Sequence, residues 1–130
     1  MSAHITTLTV VNGRAAFIPQ QGCAYLYTRA AGDPAALQLS ATSSTPAPPD
    51  PSWPPVQFKG IWLYSINRAP DATTVTYGAN LAIQGGSLTV PPNSYVYLWC
   101  LPTGGALTEV GRCAGQLPAA GPVTSKQGKP

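Results

Sequence analysis

Charged residues are scarce in this sequence, and their scarcity limits what the surface of the protein can be. They make up 8% of the 130 residues, against roughly 25% in an ordinary soluble domain. A free monomer normally stays soluble because its surface carries many charges of both signs. We therefore expect a surface of Ser, Thr, Gln, Gly and exposed apolar groups, much of it covered when the protein is in its working state.

Clusters of basic residues are also missing. The net charge of +3 results from having only four acidic residues, and Arg14, Arg29, Lys59, Arg68 and Arg112 are isolated from one another along the chain. Direct binding of nucleic acid needs several cations that converge on the phosphates. The sequence therefore predicts no nucleic-acid partner.

Long apolar runs are absent as well. No stretch reaches the roughly 18–20 apolar residues of a membrane span. Residues Met1–Thr7 have neither the charged nor the apolar region of a signal peptide. We expect no membrane association and expect the protein to be made in a cytoplasm.

Residues that could carry out catalysis are few and scattered. The sole histidine is His4, the four acids lie in different segments, and Gly85-Gly86-Ser87-Leu88 lacks the second glycine of a nucleophile elbow. Three cysteines and one histidine at these spacings make a poor zinc site. The sequence predicts that the protein is not an enzyme and has no catalytic, cofactor-binding or metal-binding residues.

The three cysteines, Cys23, Cys100 and Cys113, lie in apolar contexts typical of strands. A hairpin around Pro102-Thr103-Gly104-Gly105 would separate Cys100 from Cys113 by more than about 15 Å, at ~3.3 Å per residue, which is beyond disulfide reach. We expect three reduced, buried thiols.

What the sequence does contain is short alternating segments between turn residues, with no amphipathic helical stripe. Asn12-Gly13 is the strongest hairpin signal because both residues tolerate positive φ. The pattern predicts an all-β fold, an antiparallel β-sandwich or jelly roll of about eight strands, in a domain spanning residues 1–113. The candidate strands are Ile5–Val11, Arg14–Ile18, Cys23–Arg29, Leu37–Ala41, Val56–Ile66, Thr73–Tyr77, Leu81–Ile83, Ser87–Val90, Ser94–Leu101 and Leu107–Cys113.

Two segments fall outside this pattern. Residues 45–55 are rich in proline and predict an extended polyproline II loop. This loop either spans one end of the sandwich or places Trp53 on a neighbouring surface. Residues 114–130 have the Pro/Gly/Ala-rich composition of a flexible C-terminal arm.

Aromatic residues recur at alternate positions of three candidate strands, at Tyr25 and Tyr27, at Trp62 and Tyr64, and at Tyr95, Tyr97 and Trp99. The positions between them are also apolar, so these strands are apolar on both faces, and the second face needs a cover. The cover could be the proline segment and the termini, another protein, or the rings of a sugar. The candidate interface residues are Trp53, Trp62, Tyr64, Tyr95, Tyr97 and Trp99.

Three functions are compatible with these observations: a structural protein that binds neighbouring subunits, a carbohydrate-binding β-sandwich of the kind found in tail fibres or baseplates, and a hydrolase whose site is not recognisable. In size, composition and architecture the chain resembles the small cement or decoration proteins of tailed-phage capsids, some of which are jelly rolls. The resemblance implies a virion protein that bridges major capsid subunits as a homodimer or another homo-oligomer, without a cofactor.

Overall fold

The structure is a computed structural model that describes residues 4–49, 51–52 and 60–118. These residues form ten β-strands and no helix. The strands are β1 His4–Thr7, β2 Arg14–Phe17, β3 Cys23–Arg29, β4 Ala36–Ala41, β5 Ile61–Asn67, β6 Thr73–Tyr77, β7 Leu81–Ala82, β8 Ser87–Val90, β9 Ser94–Thr103 and β10 Ala106–Gln116.

The strands form two sheets, one of which curls into a half-barrel. The larger sheet has six strands in the order β1-β3-β5-β9-β10-β7, and the smaller has four in the order β2-β4-β6-β8. The chain moves from one sheet to the other with each of its first eight steps, and only β9 and β10 follow each other within one sheet. The first six strands therefore wind as a flattened coil, with β1, β3 and β5 parallel on one side and β2, β4 and β6 parallel on the other.

The all-β prediction is confirmed, and the prediction of a purely antiparallel sandwich or jelly roll is wrong. Five of the eight strand pairings are parallel, and three are antiparallel. Apolar alternation shows which side of a strand is buried. It does not show whether neighbouring strands are parallel or antiparallel, because side chains alternate with a period of two residues in both kinds of ladder. Each of the ten strands falls on a segment that the alternation predicts, although the expected number of strands was about eight.

The turn at Asn12-Gly13 shows why alternation failed to give the pairing. Both residues have positive φ, 52° and 73°, as a type I′ turn requires. Val11 and Arg14 exchange backbone hydrogen bonds of 2.9 and 3.0 Å. Beyond this single bridge the chain diverges, so β1 joins the larger sheet and β2 joins the smaller. The turn prediction is correct, and the predicted hairpin is instead a corner between the two sheets.

The core fills the space between the inner faces of the two sheets, because every second residue of each strand points inward. Phe17 of β2 packs on Tyr25 of β3, with ring centroids 4.3 Å apart. The other large contributors are Tyr27, Leu37, Leu39, Ile61, Leu63, Val75, Leu88, Val90, Val96, Leu98 and Leu107.

A buried arginine ties the ends of several strands together. Arg29, at the end of β3, is 3% exposed. Its guanidinium donates to the backbone oxygens of Asp33, Asp71 and Ala72 and to the Thr73 hydroxyl, at 3.1–3.2 Å. It also forms an ion pair of 2.7 Å with the Asp71 carboxylate. The arginine therefore satisfies loop carbonyls that have no ladder partner, which accounts for a charge in this position.

The proline-rich segment begins against the fold. Ala47 makes one isolated bridge with Gln20. The N–H of Gln21 donates to the carbonyl of Ala47 at 2.9 Å, and the N–H of Ala47 donates to the carbonyl of Pro19 at 3.0 Å. The remainder of the segment from Trp53 onward lies outside the described residues. At the other end of the chain, β10 continues to Gln116, three residues past the end expected for the last strand.

Candidate binding face

The aromatic residues singled out in the sequence lie on the outer face of the larger sheet. In β5, Ile61, Leu63 and Ser65 are buried while Trp62 and Tyr64 are half-buried. In β9, the same alternation leaves Tyr95, Tyr97 and Trp99 half-buried on the outside. We call these five outward side chains, Trp62, Tyr64, Tyr95, Tyr97 and Trp99, the aromatic face.

The antiparallel register of β5 and β9 brings these side chains into direct contact. Trp62 lies opposite Trp99, and Tyr64 lies opposite Tyr97. The two indoles are nearly parallel, at 15°, with centroids 5.9 Å apart, and the two phenols are 5.1 Å apart at 20°. Tyr95 continues the row beside Tyr97 at 6.2 Å. Cross-strand aromatic pairs of this kind stabilise the sheet as well as forming its surface.

A glycine of β10 holds the end of the row in place. Gly115 lies opposite Tyr95 in the ladder. A side chain at Gly115 would collide with the phenol ring of Tyr95. Only glycine therefore lets this ring lie across β10, and no pattern in the sequence indicates that dependence.

The surroundings of the aromatic face are neutral. The outward residues beside it are Ala24, Leu26 and Thr28 on β3 and Ile5 and Thr7 on β1. None of the outward side chains described on β1, β3, β5 and β9 carries a charge. The thiol of Cys113, hydrogen-bonded to the phenol of Tyr97, raises the pKa of Tyr97 above its usual 10.0.

Cys113 is a neighbour that the sequence interpretation missed. It was expected to be buried, but it is exposed, and this prediction is wrong. A β-bulge between Glu109 and Gly111 shifts the register of β10, so that Cys113 pairs with Tyr97 and lies beside it on the outer face. Cys23 and Cys100 are buried, and all three cysteines are free.

Three of the predicted interface residues are tryptophans. Trp62 and Trp99 have interactions besides the ring contacts given above. Tyr64, Tyr97 and Tyr95 form the tyrosine row of the aromatic face. Trp53 lies outside the described residues. The structure therefore brings together five of the six predicted residues.

Groups suited to catalysis do not converge among the described residues. Burial raises the pKa of the Cys100 thiol to about 12, so it is not a nucleophile at neutral pH. Glu109 is held by Arg112 at 2.6 Å, and the hydrogen bond from Arg112 lowers the pKa of this carboxyl. The described part of the chain contains no group of three potential metal ligands. It also contains no helix that is long and apolar enough to cross a membrane.

Comparison of the chain with protein-family models, with curated proteins and with solved structures finds no match.

Proposed function

We propose that this chain is a structural protein, without enzymatic activity, that binds a larger protein assembly through the aromatic face. The observation that carries the proposal is the row of neighbouring aromatic rings on the outside of β5 and β9, in neutral surroundings. A solvated outer face of a sheet ordinarily carries polar residues. Large aromatic side chains are enriched where one protein surface covers another.

The energetics fit a flat protein partner. Burial of apolar surface contributes roughly 25 cal/mol per Å², and aromatic side chains bury a large area while they lose few rotamers. Among the described residues, no outward side chain of β1, β3, β5 or β9 is charged, so little binding energy from these strands would come from ion pairs, which salt screens.

The assembly that we propose is a viral capsid, on whose outer surface the protein would act as a decoration or cement protein that bridges major capsid subunits. Support comes from the small size, the scarcity of charge and the all-β fold. The jelly-roll topology of some such proteins is not part of the likeness, because most strand pairings here are parallel.

A carbohydrate-binding module is the second candidate, because five aromatic side chains on one sheet face could stack on sugar rings. The ring geometry favours it less. A sugar needs a ring face open to solvent, whereas Tyr64 and Tyr97, near-parallel with centroids 5.1 Å apart, have the offset-stacked arrangement in which each ring covers part of the other.

The test is to mix the purified chain with undecorated shells of the particle that carries it, and to pellet the shells. We expect saturable binding and greater heat resistance of the decorated shells. A glycan array is run with the same protein. No binding to shells together with a positive array would reject the structural role in favour of the carbohydrate module.

A further inference from the structure

A second surface, separate from the aromatic face, lies where the coil of strands begins. There the larger sheet ends in β1 and the smaller sheet ends in β2, and no described strand pairs with the outer side of either. A groove of about 360 Å³ opens between these two strands and reaches the core residues Phe17, Cys23 and Tyr25. We call the surface formed by β1, β2, the turn that joins them and Ile18 the open end.

Most of the exposed large hydrophobic residues of the described chain lie at the open end. Ile5 is 65% exposed, Val11 63% and Ile18 75%. These are three of the four large hydrophobic residues that the described part of the chain exposes. The fourth, Val110, lies on β10, near the opposite edge of the larger sheet from β1. Ile5 lies on the outer side of the larger sheet and Ile18 follows β2 on the outer side of the smaller sheet, while Val11 lies at the turn. The exposed apolar side chains are therefore spread along this end of the fold, where a bound surface would cover them.

The strand edges differ in how they are protected against pairing. At the other end of the larger sheet, β10 pairs with the two-residue strand β7 and carries a bulge and the Glu109–Arg112 ion pair. In the smaller sheet, β8 is followed at once by Pro91 and Pro92. Bulges, charges and prolines are the usual devices that keep an edge from pairing with another chain. The described strand β1 contains none of them.

The outward backbone groups of β1 are oriented so that another strand could pair with them. The N–H of Leu8 donates to the carbonyl of Leu26 on β3 at 2.8 Å. Because successive residues of a strand direct their backbone groups to opposite sides, those of Ile5 and Thr7 face away from β3. They form a short unprotected edge next to the groove.

We propose that the open end binds a second copy of this chain, with the two β1 strands antiparallel about a twofold axis perpendicular to the sheets. Ile18 is exposed at the wall of the groove, and the rest of the lining combines apolar side chains such as Leu8 and Phe17 with threonines. A twofold contact needs this self-complementarity, since each copy must offer what the other accepts. Ile18 of each copy would pack against the groove of the other, and residues 5–7 of β1 are uncharged, so they would not repel their equivalents.

The dimer closes, because the open end of each copy is used once. It joins the two larger sheets edge to edge and turns both aromatic faces the same way, so that two binding faces can engage one surface together. The inference does not depend on the identity of the partner of the aromatic face.

The first test is sedimentation equilibrium of the full chain and of two matched variants. Ile18→Asp and Val110→Asp each place a carboxylate at an exposed apolar position, the first within the open end and the second far from it. We expect a wild-type dimer, dimerisation weakened about 100-fold or more by Ile18→Asp, and no change from Val110→Asp. A wild type that stays monomeric up to about millimolar concentration, or equal dimerisation of both variants, would overturn the proposal.

The second test follows the β1 edge itself by hydrogen exchange. The amides of Ile5 and Thr7 should exchange more slowly as protein concentration rises, and Thr7→Pro, which removes an outward N–H, should abolish the dimer while the fold is kept. Protection of these amides only on shells, with a monomeric wild type, would assign the open end to another protein and reject the second copy. That result would leave the role of the aromatic face intact.

Discussion

The outer faces of the two sheets belong to the same core, yet they have opposite character. The outer face of the larger sheet is aromatic, whereas that of the smaller sheet is covered by small and polar side chains: Arg14, Ala16, Ala36, Gln38, Ser40, Thr74, Thr76, Ser87 and Thr89. Both sheets bury their inner faces by the same alternation. The smaller sheet forms its part of the core without aromatic residues on its outer face. The aromatic residues on the outer face of the larger sheet, although they stabilise that sheet, exceed what core packing requires, and we take the excess to indicate binding.

The largest expected effect comes from placing one charge on each face. Tyr97→Lys puts an ammonium group in the middle of the tyrosine row, where a partner would have to desolvate it. We expect binding to shells to weaken by roughly 100-fold or more. Thr76→Lys, on the exposed outer face of the smaller sheet, should bind as the wild type does. The measurement is a pelleting titration, and equal weakening by the two variants would erase the difference between the faces.

A smaller effect is expected from substitution of one glycine of β10, with a second glycine of the same strand as the control. Gly115→Ala would push Tyr95 out of its position, whereas at Gly111 a methyl group meets nothing within 4 Å. We expect Gly115→Ala to weaken shell binding about tenfold, as for loss of one well-packed interface side chain. Gly111→Ala should leave it unchanged. Should both variants bind like the wild type, Tyr95 would not belong to the interface.

Salt should affect binding less than either substitution. The outward side chains of β1, β3, β5 and β9 are uncharged in the described residues, and screening acts on charge pairs but leaves apolar burial largely intact. The affinity for shells should change less than about threefold between low salt and ~0.5 M NaCl. Loss of binding at high salt would instead indicate contacts through charged residues elsewhere on the chain.

The smallest effect is expected from pH. The pKa of Tyr97 is raised above 10.0, and the largest cause is its hydrogen bond with Cys113. The phenol therefore stays neutral to a higher pH than an ordinary tyrosine does. Binding should be constant from about pH 6 to pH 9, and it should fall only when the tyrosines ionise at higher pH. A fall near neutral pH would show that a group outside the aromatic face controls binding.

Sequence patterns gave the strands and the aromatic face more reliably than they gave the topology. The alternation in Trp62–Tyr64 and Tyr95–Trp99 assigned these side chains to strand faces, and the structure places them on one sheet. The pairing was beyond reach because a type I′ turn at Asn12-Gly13 can close a hairpin or a corner, and only the packing of both sheets decides which. Cys113 was misplaced because a one-residue bulge reverses the side that a strand residue faces.

Thiol reactivity tests the central claim most directly, because it follows both outer faces with one chemistry. The wild-type protein reports on the aromatic face through Cys113, since Cys23 and Cys100 are buried. A Cys113→Ala, Thr76→Cys variant reports on the outer face of the smaller sheet. Maleimide labelling rates are measured for each protein, free and bound to shells. We predict that binding slows labelling at Cys113 by about tenfold or more and leaves labelling at position 76 unchanged. Unchanged labelling of Cys113 in protein that remains bound, or protection at position 76 instead, would contradict the assignment of the aromatic face as the binding surface.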